Sequence, residues 1–241
     1  MKETVLILGA GVPHGVGGAI ARRFGAEGYH VIVSGRTLEK VSQVADEVTA
    51  AGGSAQSMVV DVTSPDDQDA LFAAIPEGSR LAAVLYNAGN NAIIPFEKLS
   101  AEQFEMFWRI GCFGAFLAAE RAVPILKAQG GGSLFFTGAS GSLRGKANFA
   151  HFASMKAGLR NLTQSLAREF GPEGIHVGHF IIDGIIGGDK AEKGFPEYVE
   201  ALGEDGTLSP DGIADAFMYV HQQPRTNWTQ EIDLRPFSEK W

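Results

Sequence analysis

The chain has 241 residues, 45% of them hydrophobic, with 31 glycines and a formal charge of −8 from 20 Lys+Arg against 28 Asp+Glu. That length and apolar content suit one α/β domain with a sizeable core, so residues 1–241 read as a single domain without internal repeats. The acidic balance and the lack of a basic run argue against nucleic-acid binding, no apolar run is long enough for a membrane span, and a lone cysteine, Cys112, excludes an internal disulfide. With no signal-peptide pattern before the first strand, the expected location is cytoplasmic.

In chain order, the first strand is expected near 4–8, where Val5-Leu6-Ile7-Leu8 runs into Gly9-Ala10-Gly11-Val12-Pro13-His14-Gly15-Val16-Gly17 and a helix near 16–27. Further strands are expected near 29–34, 55–60, 81–86, 133–137, 175–182 and 230–234, and further helices near 38–51, 66–75, 101–128, 149–170 and 210–222. Continuous apolar runs such as Leu81-Ala82-Ala83-Val84-Leu85 suit strands covered on both faces. Strand–helix alternation then predicts a three-layer, doubly wound parallel sheet, the Rossmann fold. Residues 184–209, rich in Gly and charge and carrying Pro196, break the rhythm and read as a flap over a site.

The glycine-rich turn is what a dinucleotide pyrophosphate needs. Gly9, Gly11, Gly15 and Gly17 let the backbone turn tightly, and the helix beginning at Val16 points its N–H groups at the negative charge. The same pattern also serves as a plain strand–helix connector. The second strand ends in Val33-Ser34-Gly35-Arg36, where an acid would bind the free 2′-hydroxyl of NAD. Arginine there suits the 2′-phosphate of NADP, so NADP(H) is expected ahead of NAD(H); the alternative is a solvated surface arginine. Asp61-Val62 and Asn87-Ala88-Gly89 close the next two strands. Asp61 can accept from the adenine amino group, and Asn87 and Gly89 can pack on ribose, although each segment alone suits ordinary turn chemistry. Gly184 and Ile186, where the flap begins, complete the expected cofactor-binding set.

The Gly9–Gly17 loop, Asp61-Val62, Asn87-Ala88-Gly89 and Lys156 on the helix near 149–170 agree in order and spacing with the short-chain dehydrogenase/reductase superfamily, which the chain resembles over essentially its whole length. The glycine loop carries about two extra residues, including Pro13 and His14, and Tyr86 replaces a common asparagine. Phe136-Thr137-Gly138-Ala139-Ser140 and the closing Leu234–Trp241 segment resemble a divergent bacterial branch. The resemblance implies an oxidoreductase acting on a small molecule, and a homodimer or homotetramer built on the fourth and fifth helices with the tail ending in Trp241.

It also implies a catalytic Asn, Ser, Tyr and Lys. By position these fall at Gly111, Ala139, Phe152 and Lys156, so only the lysine is kept, with the role of binding the nicotinamide ribose. Phe152 has no proton to give to a forming alkoxide. Replacement candidates are Asp183, as a carboxyl leaving an apolar strand, and Ser140, one position from Ala139, both beside Lys156; a turn role for Asp183 is the alternative. His151, His179, Tyr198 and Cys112 read as core or surface residues. Phe149, His151 and Phe152 suggest an apolar wall for a flat or aromatic ligand. Three readings stay open: an NADP-dependent reductase of an activated C=C, C=N or carbonyl, a catalytically silent NADP-binding sensor or scaffold, and a structural protein that has lost the cofactor.

Overall fold

A computed structural model describes residues 3–188, 191, 194 and 196–239. Trp241, expected to take part in assembly, lies outside the described residues, as do 189, 190, 192, 193 and 195 of the flap. The first half of the chain runs β1 (Glu3–Leu8), α1 (Val16–Ala26), β2 (His30–Gly35), α2 (Leu38–Ala50), β3 (Ser54–Val59), α3 (Pro65–Ala73) and β4 (Arg80–Tyr86). The second half runs α4 (Ala101–Trp108), α5 (Gly114–Ala128), β5 (Gly132–Thr137), α6 (Ala150–Phe170), β6 (Ile175–Ile182), α7 (Pro196–Leu202), α8 (Pro210–His221) and β7 (Glu231–Leu234).

The seven strands form one sheet in the order β3-β2-β1-β4-β5-β6-β7, every neighbouring pair parallel. The doubly wound α/β fold is therefore present. Strand alternation splits the core in two: Val5 and Ile7 of β1 pack with Phe24, Val44 and Phe217 on one face, Leu6 and Leu8 with Leu71, Ala118 and Leu159 on the other. Winding reverses direction between β1 and β4, and the cleft outside the strand C-termini at that switch point is where this architecture takes ligands. Helix starts follow local chemistry. Ser64 caps α3 ahead of Pro65, Ser100 and Gln103 form a reciprocal capping box on α4, and Ser209 caps α8 ahead of Pro210.

One expectation needs correction. The helix expected near 101–128 is broken by a π-turn, Arg109–Phe113, between α4 and α5. Its loosened carbonyls have side-chain partners: the Tyr86 hydroxyl donates to Ile110 O, and Gln68 Nε2 donates to Gly114 O at 2.9 Å. The segment 184–209 contains α7, and Ile186 and Leu208 form a parallel bridge near its ends. Among the described residues, no helix is long and apolar enough to cross a membrane.

Candidate cofactor and active site

The glycine loop is fastened from below. Gly9 N and Ala10 N donate to Ser34 O at 3.0 and 2.9 Å, and the buried Ser34 hydroxyl donates to Ile7 O at 3.0 Å. Gly9 adopts φ +89°, and a Cβ there would lie 2.5 Å from Ala88 Cα, so the turn and the segment after β4 touch only because glycine stands there. The extra Pro13-His14 is held by Arg22, whose Nη1 donates to Pro13 O at 2.6 Å and to Glu47 at 3.1 Å. Gly15 is the N-cap of α1, with no side-chain cap and no acid in the first turn beginning at Val16. The first N–H groups of α1 are thus left to an incoming anion. Gly11, at φ +70°, is open on the same side: a Cβ there would meet nothing within 4 Å. An uncapped helix start behind an open glycine turn fits a dinucleotide pyrophosphate.

The other expected cofactor residues fall along the same edge, with different local work. Arg36 is exposed just past β2. Asp61 is exposed; its Oδ1 accepts from Thr63 N at 2.9 Å and Thr63 Oγ1 at 2.8 Å, so half of the carboxylate shapes its own turn. Asn87 is a strut rather than a free amide: Nδ2 donates to Gly9 O at 2.8 Å, and Oδ1 accepts from Thr137 Oγ1 at 2.9 Å. Val62 and Ala88 are buried, and Gly89 faces the Lys156 ammonium, which would lie 3.4 Å from a Cβ at that position. Gly188, two residues beyond Ile186, comes so close to the extra loop that a Cβ there would lie 2.8 Å from His14 O. Gly184 is packed under Pro236, 2.8 Å from where its Cβ would be.

Around Lys156 the neighbouring side chains are largely apolar. Lys156 is 5% exposed, its Nζ donates to Thr137 O at 2.6 Å, and it sits 6.0 Å from the centroid of the Phe152 ring. Burial pulls its ammonium down from 10.5 to about 8. A Cβ at Gly111 would lie 2.2 Å from Met155 Sδ, so the thioether occupies the volume a side chain at 111 would need. Ala139 is buried, and the Phe152 ring closes over Gly141. Ser140 opens a short 3-10 turn, Ser140–Ser142, half-buried, and its hydroxyl makes no hydrogen bond among the described residues.

Asp183 is not a free carboxyl. It is 2% exposed, accepts from Arg144 Nη2 at 3.0 and 3.2 Å, and has Arg235 Nη2 at 3.6 Å. His151 leaves the expected wall and packs on Phe107, ring centroids 4.2 Å apart. His179 is fully buried, as expected of a core histidine: Nε2 meets the Ser142 hydroxyl at 3.4 Å and Nδ1 meets Glu231 at 3.0 Å. Burial drops that imidazole to about 4, so it is neutral at physiological pH. Glu231 is clamped in turn by Arg160 through two contacts of 2.7 Å, and that pairing holds its carboxyl below the usual range. Arg144 and Ser142 had no sequence signal, because their partners lie 39 and 37 residues away. Tyr198 on α7 is exposed, and Cys112 is buried on the π-turn beside Gly111.

The chain as a whole has counterparts among known proteins. Residues 3–192 match the short chain dehydrogenase family. The chain belongs to that family. Among its relatives, the oxidoreductase asL5 of Sarocladium schorii is 32% identical over 206 residues, which are 85% of this chain and 77% of that one. The uncharacterized oxidoreductase YuxG of Bacillus subtilis is 34% identical over 192 residues, 78% of this chain but only 27% of that much longer protein. A short-chain dehydrogenase structure from Rhodopseudomonas palustris is 33% identical with a TM-score of 0.84, covering 98% of this chain and 100% of its own. A metagenomic short-chain oxidoreductase in complex with NADP shares the fold at a TM-score of 0.81, covering 98% of both chains at 22% identity. Membership makes the protein an oxidoreductase of the short-chain dehydrogenase type.

Proposed function

We propose that the protein is an NADP(H)-dependent oxidoreductase whose active site reduces an activated C=C, C=N or carbonyl group without the family's tyrosine. The observation that carries this reading is Lys156, a buried ammonium held by Thr137 O and walled by Phe152 at the end of an intact cofactor cleft. The α1 N-terminus and the Gly9–Gly17 turn would hold the pyrophosphate, Arg36 the 2′-phosphate, Asp61 the adenine amino group, and Lys156 the nicotinamide ribose. When bound, the cofactor supplies hydride. Lys156 keeps a proton at neutral pH and has a weakened hold on it, so its ammonium is the donor at the end of the cleft. Phe152 and Phe149 exclude water and favour a flat, apolar substrate body. Ser140 offers a second hydroxyl to the substrate. The segment 184–209, packed against His14 at Gly188, is the flap that closes over cofactor and substrate.

Titration followed by NADPH fluorescence tests the cofactor. Arg36→Ala is expected to weaken NADPH binding about 10–100-fold, the worth of one lost charge-assisted contact, and to leave NADH binding unchanged. Equal loss for both cofactors would remove Arg36 from the 2′-phosphate site. A panel of enones, iminium compounds and activated carbonyls then tests turnover. The Met155 thioether filling the space beside Gly111 favours a second reading, a silent NADP-binding sensor or scaffold. Tight NADPH binding with no reduction across the panel would select it.

A further inference from the structure

We infer that Arg144, oriented by the buried Asp183, is the residue that recognises a carboxylate on the substrate. This rests on the function proposed above and names the substrate class of that same site: an apolar, flat body carrying a carboxylate.

The placement is the first argument. Arg144 follows the Ser140–Ser142 turn, and its backbone N–H donates to Ser140 O at 3.1 Å, so it is carried by the same turn that sets Gly141 under the Phe152 ring. Its guanidinium reaches to Asp183 at the C-terminal end of β6, the edge of the sheet on which ligands bind in this fold. The strand order puts β6 four positions from β2, which carries Arg36. At about 4.8 Å per strand that is about 19 Å, so Arg144 serves the substrate end and not the 2′-phosphate.

Preorganisation is the second argument. Asp183, 2% exposed, uses both of its oxygens on a single nitrogen, Nη2, of a guanidinium whose side chain remains 42% exposed. Nε and Nη1 of Arg144 have no partner among the described residues. A buried carboxylate therefore anchors one nitrogen of a partly exposed guanidinium and leaves Nε and Nη1 as single charged donors for a second carboxylate. Arg235, 3.6 Å from Asp183, is paired with Asp233, so the four side chains form two acid–base pairs.

Charge distribution is the third argument. In a chain with eight more acids than bases, no Asp or Glu occurs between Glu120 and Glu169. Several cations of that stretch are matched from elsewhere: Arg121 by Asp69, Lys127 by Glu173, Arg160 by Glu231. Lys146 and Lys156, on either side of the Phe149–Phe152 wall, have no ion pair among the described residues. The stretch 121–168 thus carries basic charge only, against the sign of the whole chain, which favours an anion beside it.

The test is calorimetric titration of the NADPH-loaded protein with benzoate, phenylacetate and 2-naphthoate, each against its methyl ester. At least one acid is expected to bind about tenfold or more tightly than its ester. In Arg144→Gln that ratio is expected to fall to about one, and in Asp183→Asn to an intermediate value; Arg144→Lys restores part of it. The ratio is read within each variant, so a loss of folded protein cancels. Acids and esters binding alike, neither binding, or a preference unchanged in Arg144→Gln would each overturn the assignment, as would tighter binding of phenyl phosphate than of every carboxylate. NADPH fluorescence in the same samples separates the two readings: failure to bind NADPH condemns the proposed function, whereas normal NADPH binding without an acid preference condemns this inference alone.

Discussion

Gly111→Asn is expected to destabilise the folded protein by about 1–3 kcal/mol, the usual range for forcing atoms into a packed interior. A Cβ at 111 would already lie 2.2 Å from Met155 Sδ and 2.8 Å from its Cγ, and Met155 is fully buried, so the thioether has nowhere to swing. Met155→Ala alone should cost about 2–5 kcal/mol through the cavity it opens. The two changes together should cost less than their sum by about 1 kcal/mol or more, because each relieves the defect of the other. Urea denaturation of the four proteins of this cycle measures the coupling. Simple additivity would show that Gly111 and Met155 do not share one volume. The consequence for chemistry is direct: installing Tyr at 152 and Ser at 139 leaves the position on the π-turn blocked, and a polar side chain at 111 becomes possible only after Met155 is reduced.

Lys156→Met is expected to stabilise the protein at pH 7 while abolishing its proposed activity. The folded chain holds this ammonium at about 8 against 10.5, its ordinary value. Between those two values the unfolded chain binds more protons than the folded one, so wild-type stability rises with pH across that window. Below about 8 the buried ammonium costs the fold up to roughly 3 kcal/mol, since each tenfold loss of proton affinity on folding corresponds to about 1.4 kcal/mol. Losing the Nζ contact to Thr137 O returns about 1 kcal/mol of that gain. The net expectation is about 2 kcal/mol of stabilisation at pH 7, turning into about 1 kcal/mol of destabilisation above pH 10.5, where only the lost contact remains. Thermal melts at pH 7 and pH 10.5 check it. Wild-type turnover should fall as pH rises through about 8, where the ammonium gives up its proton. An unchanged rate at about pH 9, beyond that titration, would remove Lys156 as the donor.

Much of the fold was legible because its signals are local. The central strands were apolar runs bounded by glycine or polar residues, and the turn from Gly9 to Gly17 stood directly between a strand and a helix start. Arg36, Asp61 and Asn87 were legible as strand-end residues for the same reason. The helix expected over 101–128 was not legible in full. Nothing in Trp108-Arg109-Ile110-Gly111-Cys112 announces a π-turn, whose carbonyls are satisfied by Tyr86 and Gln68 from distant segments. The expectation that Asp183 leaves its strand as a free acid also depended on what stands next to it, and its two guanidinium partners come from positions 144 and 235.

By itself, the sequence determined the order of strands and helices, the place of the glycine turn and the residue types at each strand end, since hydrophobic period and turn chemistry act over a few residues. Only the tertiary structure decided what those side chains are free to do. Asn87 is spent as a strut between Gly9 and Thr137, Met155 fills the space beside Gly111, and Asp183 aims Arg144. Each of these is settled by a contact between residues far apart in the chain. Such contacts exist only after burial has brought the segments together, and no local pattern encodes which polar atom will find which partner.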